Sequence, residues 1–84
     1  MSKVESIARA YSQERWSRFI RKLIRKYGEG PVKSKQMLDE IQEEFGVKRK
    51  TAIVYLAFLG KLGYVQRVPG RQLVKFTEKA VLEA

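Results

Sequence analysis

The sequence predicts an α+β fold that is mostly helical, with a core of three helices, a β-hairpin and a short terminal helix. Three observations support this. Apolar residues recur at helical spacing in three segments that end at glycines. Two β-rich runs flank a Pro-Gly pair, which favours a type II turn. The chain has 84 residues, a length typical of one domain. Because a domain this small buries only about 60% of its unfolded surface, a dimer would add stability.

The first predicted helix covers residues 12–27. Ser12 is a suitable N-cap, Glu14 lies in the first turn, and Gly28 ends the helix before Gly30-Pro31. A basic flank on the same helix is interpreted as solvated, with contact to a phosphate backbone as the alternative. The apolar stripe is Trp16, Phe19, Ile20, Leu23 and Tyr27, and the basic flank is Arg15, Arg18, Lys22, Arg25 and Lys26.

A second apolar stripe precedes this helix, at Val4, Ile7, Ala8 and Tyr11. On one continuous helix it would point more than about 90° away from the later stripe. Two interpretations stay open. Either the chain breaks near Ser12 and residues 1–11 form an arm on their own domain, or a long helix presents its first turns to another subunit. The second interpretation would make the protein a homodimer, with residues 12–84 as its main domain.

The next predicted helix covers residues 34–45 and ends at Gly46, where a left-handed conformation is expected. Its two faces differ in chemistry, which predicts one buried face and one exposed acidic face. The buried face is Met37, Leu38, Ile41 and Phe45, and the acidic face is Asp39, Glu40, Glu43 and Glu44.

A third helix is predicted over residues 48–62, ending before Gly63. Helical spacing divides it into an inward and an outward set. The inward set is Ala52, Tyr55, Leu56, Leu59 and Leu62, and the outward set is Lys50, Val54, Ala57 and Lys61. Ile53 and Phe58 are expected to flank the outward set.

A hairpin over residues 64–76 follows, with Pro69-Gly70 at its turn, and Thr77 is a suitable N-cap for the last short helix. Tyr64 is interpreted as packing at a strand edge. Four aromatic residues are assigned to the core: Trp16, Phe19, Tyr55 and Phe76.

The composition argues against several function classes. The sequence has no Cys and no His, which removes disulfides, thiol catalysis, the usual zinc sites and the ordinary general base near neutral pH. Because the carboxylates cluster on one helix face rather than in a cleft, no enzyme activity and no cofactor are expected. No apolar run reaches membrane-spanning length, so an intracellular, nucleoid-associated location is expected. Nothing suggests a pocket for a small-molecule effector.

Charge is distributed unevenly along the chain. The net charge is +9, of which residues 1–46 carry +3 and residues 47–84 carry +6. From Phe45 to Thr77 there is no Asp or Glu, so the cations of this stretch are expected to be uncompensated. A surface that carries only positive charge is typical of a protein that binds a polyanion. An acidic protein partner is the alternative. The cations are Lys48, Arg49, Lys50, Lys61, Arg67, Arg71 and Lys75.

The spacing of Phe45, Gly46 and Val47 between two helices is what a helix-turn-helix requires. The third helix then presents its first residues outward, where a major groove can accept them. Residues 34–78 resemble the winged helix-turn-helix superfamily of DNA-binding proteins, especially small members from archaea and their viruses. The resemblance lies in the sequence motifs and in their order along the chain. The matching motifs are FGVKRKTA, LGKLGYV, PGR and VKFTEKA.

That resemblance implies a double-stranded DNA-binding protein, with the third helix in the major groove and the hairpin, or wing, on the backbone or in the minor groove. It also implies phosphate contacts at the start of the second helix, where free N–H groups and nearby cations favour an anion. The expected DNA-binding residues are Lys33, Ser34, Lys35, Lys48, Arg49, Lys50, Thr51, Val54, Lys61, Arg67 and Arg71.

The middle of the third helix departs from the family pattern because its outward positions Val54 and Ala57 are apolar. Thymine methyls could contact them, and Arg49 or Lys50 could contact guanine. A transcriptional regulator, acting as a homodimer on a two-fold site, is the first expectation. A low-specificity DNA-coating protein and a winged-helix protein-interaction module are the alternatives.

Overall fold

The computed structural model describes residues 11–83 and has an α+β architecture, mostly helical, with a small antiparallel sheet. The helices carry the core and the sheet closes one side of it. In chain order the elements are α1 (Gln13–Tyr27), β1 (Val32–Lys33), α2 (Ser34–Phe45), α3 (Arg49–Lys61), β2 (Val65–Val68), β3 (Leu73–Phe76) and α4 (Glu78–Glu83).

The three long helices bury their apolar stripes against one another, as predicted. Leu23, Met37 and Leu59 are fully enclosed. Trp16 of α1 lies edge-on to Tyr55 and Phe58 of α3, with ring centroids 5.5 and 5.2 Å apart. Such aromatic pairs add about 0.5–1.5 kcal/mol beyond area burial. The assignment of Trp16, Phe19, Tyr55 and Phe76 to the core is confirmed.

The chain breaks at Ser12, so the break expected by the first of the two interpretations is confirmed, while the arm that it assigns to residues 1–11 stays a prediction. Ser12 is extended (φ −72°, ψ 158°), and its Oγ accepts a hydrogen bond from the Arg15 N–H at 3.2 Å. Tyr11 packs on the same subunit, edge-on to Phe45 at 4.9 Å. The rest of the predicted arm, residues 1–10, lies outside the described residues, so its role in a homodimer stays a prediction.

Gly46 joins α2 to α3 in the expected left-handed conformation (φ 64°, ψ 36°), which a side chain would strain. Its N–H donates to the Gln42 carbonyl at 2.9 Å and so satisfies the end of α2. Val47 packs against the core, and the next helix begins at Arg49 with Lys48 as its N-cap. The short connection and α3 match the prediction within one residue at each end.

The sheet has the strand order β1-β3-β2, and all neighbours are antiparallel. The predicted hairpin is confirmed as β2 and β3. The Arg71 N–H donates to the Val68 carbonyl at 3.2 Å, and Gly70 has φ 73°, as a type II turn requires. Strand β1 was not predicted; it pairs Val32 with Val74.

Helix α4 is tied to the end of α3. Thr77 is its N-cap, with Oγ1 accepting from the Ala80 N–H at 3.3 Å, as predicted. Lys79 Nζ donates to the Leu62 carbonyl at 2.7 Å and lies over the Tyr64 ring. Tyr64 directly precedes the edge strand β2, as expected, and at 1% exposure its side chain belongs to the core.

The exposed acidic face predicted for α2 is wrong in two of its four positions. Glu40 is buried and Glu44 is half-buried, because cations of α1 reach across to both carboxylates. Lys26 Nζ lies 2.6 Å from Glu40 Oε2, and Lys22 Nζ lies 3.1 Å from Glu44 Oε1. The basic flank of α1 is therefore partly neutralised within the protein rather than fully solvated.

Candidate nucleic-acid interface

The outward stripe of α3 consists of four exposed residues at helical spacing: Lys50, Ile53, Ala57 and Lys61. Lys50 and Lys61 mark its two ends, about 16 Å apart along the helix axis. Ile53 was expected only as a flanking residue, but 46% of its surface is exposed, which makes it the most exposed large apolar side chain on this helix. The sequence feature that could have predicted this exposure is the position of Ile53 three residues after Lys50.

The predicted outward position of Val54 is wrong. Val54 is half-buried and packs against the core, and Phe58, expected beside the stripe, is 5% exposed. The inward side of α3 is therefore wider than the spacing of Ala52 and Leu59 indicated, because α1 and Tyr11 bring aromatic rings to it. The Val54 side chain therefore does not project from the outward stripe as those of Lys50 and Ile53 do.

The start of α3 carries two exposed polar residues and one that is engaged within the protein. Lys48 and Thr51 are exposed. Arg49 is half-buried: its Nη2 lies 2.6 Å from Asp39 Oδ1, and its Nη1 donates to the Lys35 carbonyl at 3.5 Å. The prediction that Arg49 is uncompensated is wrong, because Asp39 of α2 lies next to it across the helix pair.

A groove of about 700 Å³ lies between α3 and the hairpin. Its floor is apolar, formed by Ile53 with neighbouring leucines, and its rim carries the guanidinium-bearing Arg67 and Arg71 together with Ser34. Three of the predicted DNA-binding residues, one from α2 and two from the hairpin, are thus brought to the same opening. The full lining is Ser34, Leu38, Ile53, Leu56, Arg67, Val68, Pro69, Gly70, Arg71, Gln72 and Leu73.

The remaining cations lie on two different faces of the sheet. Side chains alternate along a strand, so Arg67 shares the core-side face with its partner Val74. Lys75 is on the opposite face, two residues from Leu73, and Lys33 is paired with Leu73. Lys33 and Lys75 are both exposed, and neither of them lines the groove to which Arg67 contributes.

The start of α2 is less open to an anion than expected. The Ser34 N–H donates to the Gln72 carbonyl at 2.9 Å, which joins α2 to the hairpin loop. One N–H group at this helix start is therefore engaged within the protein. Lys35 is exposed one residue later and keeps its charge near the same end of the helix.

Six of the seven cations between Phe45 and Thr77 make no ion pair with any carboxylate in residues 11–83, and all six are exposed. α3 and the hairpin contain no acidic residue, so these cations have no carboxylate on their own elements. The six are Lys48, Lys50, Lys61, Arg67, Arg71 and Lys75.

Two carboxylates of α2, those of Glu40 and Glu44, are paired with cations of α1 rather than with this surface. Burial acts to raise the pKa of Glu40, but hydrogen bonds from Lys26 and from the Tyr27 hydroxyl, 2.7 Å away, outweigh it and hold that pKa below its ordinary value. The hydrogen bond to Glu40 in turn raises the pKa of Tyr27. Glu40 therefore stays ionised and paired with α1.

Comparison with known proteins identifies no relative: no family model, no curated protein and no solved structure matches this chain. Across residues 11–83, no helix combines the length and the apolar character needed to cross a membrane.

Proposed function

We propose that this protein binds double-stranded DNA as a winged helix, with α3 in the major groove and the β2–β3 hairpin as the wing. The observation that carries the proposal is the groove between α3 and the hairpin, whose rim bears Arg67 and Arg71 beside the exposed α3 stripe. Cations on two adjacent protrusions suit a duplex, because one protrusion can enter a groove while the other follows the backbone.

Phosphate contacts supply most of the affinity in this proposal. Six cations lie at the start of α2, on α3 or on the groove lining of the hairpin, a set that leaves out Lys75 because it does not line the groove: Lys35, Lys48, Lys50, Lys61, Arg67 and Arg71. Each phosphate that they neutralise releases a counterion, so binding should weaken steeply as salt concentration rises. Arg67 and Arg71 also offer the planar donor arrangement that fits a phosphate in two hydrogen bonds.

In this proposal, the exposed residues of α3 make the contacts with DNA bases. Lys50 can donate to guanine O6 and N7, and Thr51 can hydrogen-bond a base or a phosphate. Ile53 and Ala57 fit thymine methyl groups. A transcriptional regulator with a modest sequence preference is the role that this set of side chains supports, and a homodimer would strengthen it by joining two half-sites.

A second candidate function is DNA coating with little sequence preference. One observation favours it: Arg49, the best-suited base-contacting residue at the start of α3, is paired with Asp39. With Arg49 engaged and Val54 half-buried, few hydrogen bonds to base edges remain. Coating would rest on phosphate contacts and on the shape of the duplex.

Selection of bound DNA from a random pool, followed by titration of selected and random duplexes, tests the proposal. A regulator should prefer the selected duplex by at least about tenfold, because each mismatched base pair costs about 1–3 kcal/mol, whereas a coating protein should bind both almost equally. If neither duplex binds at low salt, DNA binding is wrong and a protein-interaction module takes its place.

A further inference from the structure

The outer face of α1 carries a second concentration of positive charge, on a different side of the molecule from the α3 stripe. The inner side of α1 packs against the inner side of α3, since Trp16 contacts both Tyr55 and Phe58. Because the two helices share a core through their inner faces, their outer faces point away from each other. The outer face of α1 therefore lies outside the surface that α3 and the hairpin present to a duplex.

Five cations of α1 line one open depression of about 520 Å³. Two of them, Lys22 and Lys26, are turned toward the α2 carboxylates Glu44 and Glu40. The remaining three are arginines, which occupy positions i, i+3 and i+7 and so share one side of the helix. The lining residues are Arg18, Arg21, Lys22, Arg25 and Lys26.

The three arginines are poorly compensated. Arg18 lies 3.8 Å from Glu14, but both side chains are largely exposed, and such pairs contribute little. Arg21 and Arg25 form no ion pair with a carboxylate of residues 11–83. The Arg21 Nε is buried and has no hydrogen-bond partner among the described residues. The stripe from Arg18 to Arg25 spans about 10 Å along the axis, enough to meet several phosphates of a duplex.

The chemistry of this face fits nucleic acid better than a lipid surface. A helix that lies on a membrane presents an apolar side to the acyl chains. The apolar side of α1 is instead enclosed in the core, at Trp16, Phe19, Ile20 and Leu23. The two large apolar residues that the described chain exposes, Ile53 and Leu82, lie on other helices. Guanidinium groups spaced along a helix match the repeated phosphates of a backbone.

We infer that the outer face of α1, through Arg18, Arg21 and Arg25, is a second duplex-binding surface and that one subunit bridges two DNA duplexes. The inference rests on the proposed function, because the first duplex occupies α3 and the hairpin. Bridging needs no base contact at α1, since phosphate contacts carry no sequence information. The protein would thereby hold two DNA segments side by side, or two parts of one molecule as a loop.

A capture experiment with two duplexes tests this. One duplex is immobilised, the protein is bound to it, and a second, fluorescent duplex is added at about 0.1 M salt. The double variant Arg18→Gln, Arg25→Gln removes two exposed cations from α1. Lys75→Glu changes the net charge by the same amount on the outer face of the sheet and serves as the matched control. Thermal melting checks that both variants fold.

The expected result is that Arg18→Gln, Arg25→Gln binds the first duplex about as tightly as the parent protein but captures roughly tenfold less of the second. Lys75→Glu should capture the second duplex nearly as well as the parent. If the double variant captures as much as the parent, bridging uses another surface, such as a second subunit, and the inference is overturned.

Two further outcomes separate this inference from the proposed function. A parent protein that binds the first duplex but never captures the second refutes bridging and leaves the proposed function standing. A parent protein that binds no duplex refutes the proposed function, and bridging with it.

Discussion

Arg49 Nη2 lies 2.6 Å from Asp39 Oδ1, so the first residue of α3 is tied to the outer face of α2. Both side chains are about half exposed, so the pair contributes little to stability. The effect of the pair is on function. The Asp39 carboxylate lies beside Arg49, and arginine is the side chain best suited to contact guanine. A duplex that uses Arg49 must first compete with Asp39.

Removing this carboxylate should therefore improve DNA binding. In Asp39→Asn, Arg49 is free to meet a phosphate or a base. The affinity for duplex DNA should rise about three- to tenfold at low salt, and the log-log salt slope should steepen by up to about one. Titration by fluorescence anisotropy at several salt concentrations measures both. Glu43→Gln, which removes an exposed α2 carboxylate without an ion pair in residues 11–83, is the control and should change much less. Equal gains in the two variants would show that Asp39 does not restrain Arg49.

The hairpin should act through phosphates. Arg71→Gln should reduce the salt slope by about one and weaken all duplexes alike, because a phosphate contact carries no sequence information. Lys75→Gln removes the same charge from the outer face of the sheet and should leave the slope almost unchanged. If Arg71→Gln alters the preferred sequence, the hairpin contacts bases and this account of it is wrong.

Ile53 should be a contact residue rather than a stabilising one. Because it is 46% exposed beside the groove, Ile53→Glu should leave the melting temperature within a few degrees of the parent. It should reduce duplex affinity at least about tenfold, since a carboxylate would face the phosphates. Leu82→Glu, at a residue 77% exposed on α4, is the matched control and should bind normally. Similar losses in both variants would point to overall charge rather than to the α3 stripe.

The link between α1 and α2 should depend on the ionised form of Glu40. In Glu40→Gln, the buried side chain no longer offers a carboxylate to Lys26 and Tyr27, which should cost about 1–2 kcal/mol at pH 7. For a domain of this size, thermal unfolding should shift by at least about 4 °C. Glu43→Gln, at an exposed position of the same helix, should shift it little.

The pH dependence of this difference follows from the direction of the pKa change. The pKa of Glu40 is lower in the folded protein than in the unfolded chain, so its contribution is complete above the ordinary carboxyl range and is lost as pH falls through the folded value. The melting temperatures of parent and Glu40→Gln should therefore converge at acid pH. A constant gap from pH 7 to strongly acid conditions would contradict the role of the charge.

Much of the fold could be predicted from local patterns. The bounds of α2 and the left-handed Gly46 follow from an apolar stripe and a glycine, both of which act within one turn of the chain. The caps at Ser12 and Thr77 and the turn at Pro69-Gly70 are likewise local. Strand β1 could not be predicted, because two residues show no alternation and Val32–Lys33 is extended through its pairing with β3.

The errors at the candidate site have one physical origin, which is contact between residues distant in sequence. Glu40 was assigned to a solvated face, and Arg49 was expected to lack a carboxylate partner. Burial of Glu40 depends on Lys26 and Tyr27 reaching it from α1, and the pairing of Asp39 depends on where α3 begins. Val54 was placed outward by spacing, but the core extends to it on one side of α3.

The salt dependence of duplex binding tests the central claim most directly. The account holds that α3 and the hairpin bind a duplex through Lys35, Lys48, Lys50, Lys61, Arg67 and Arg71. A plot of the log of the binding constant against the log of the salt concentration should then have a slope of roughly −5. A binding midpoint that stays the same from low to high salt would contradict the account.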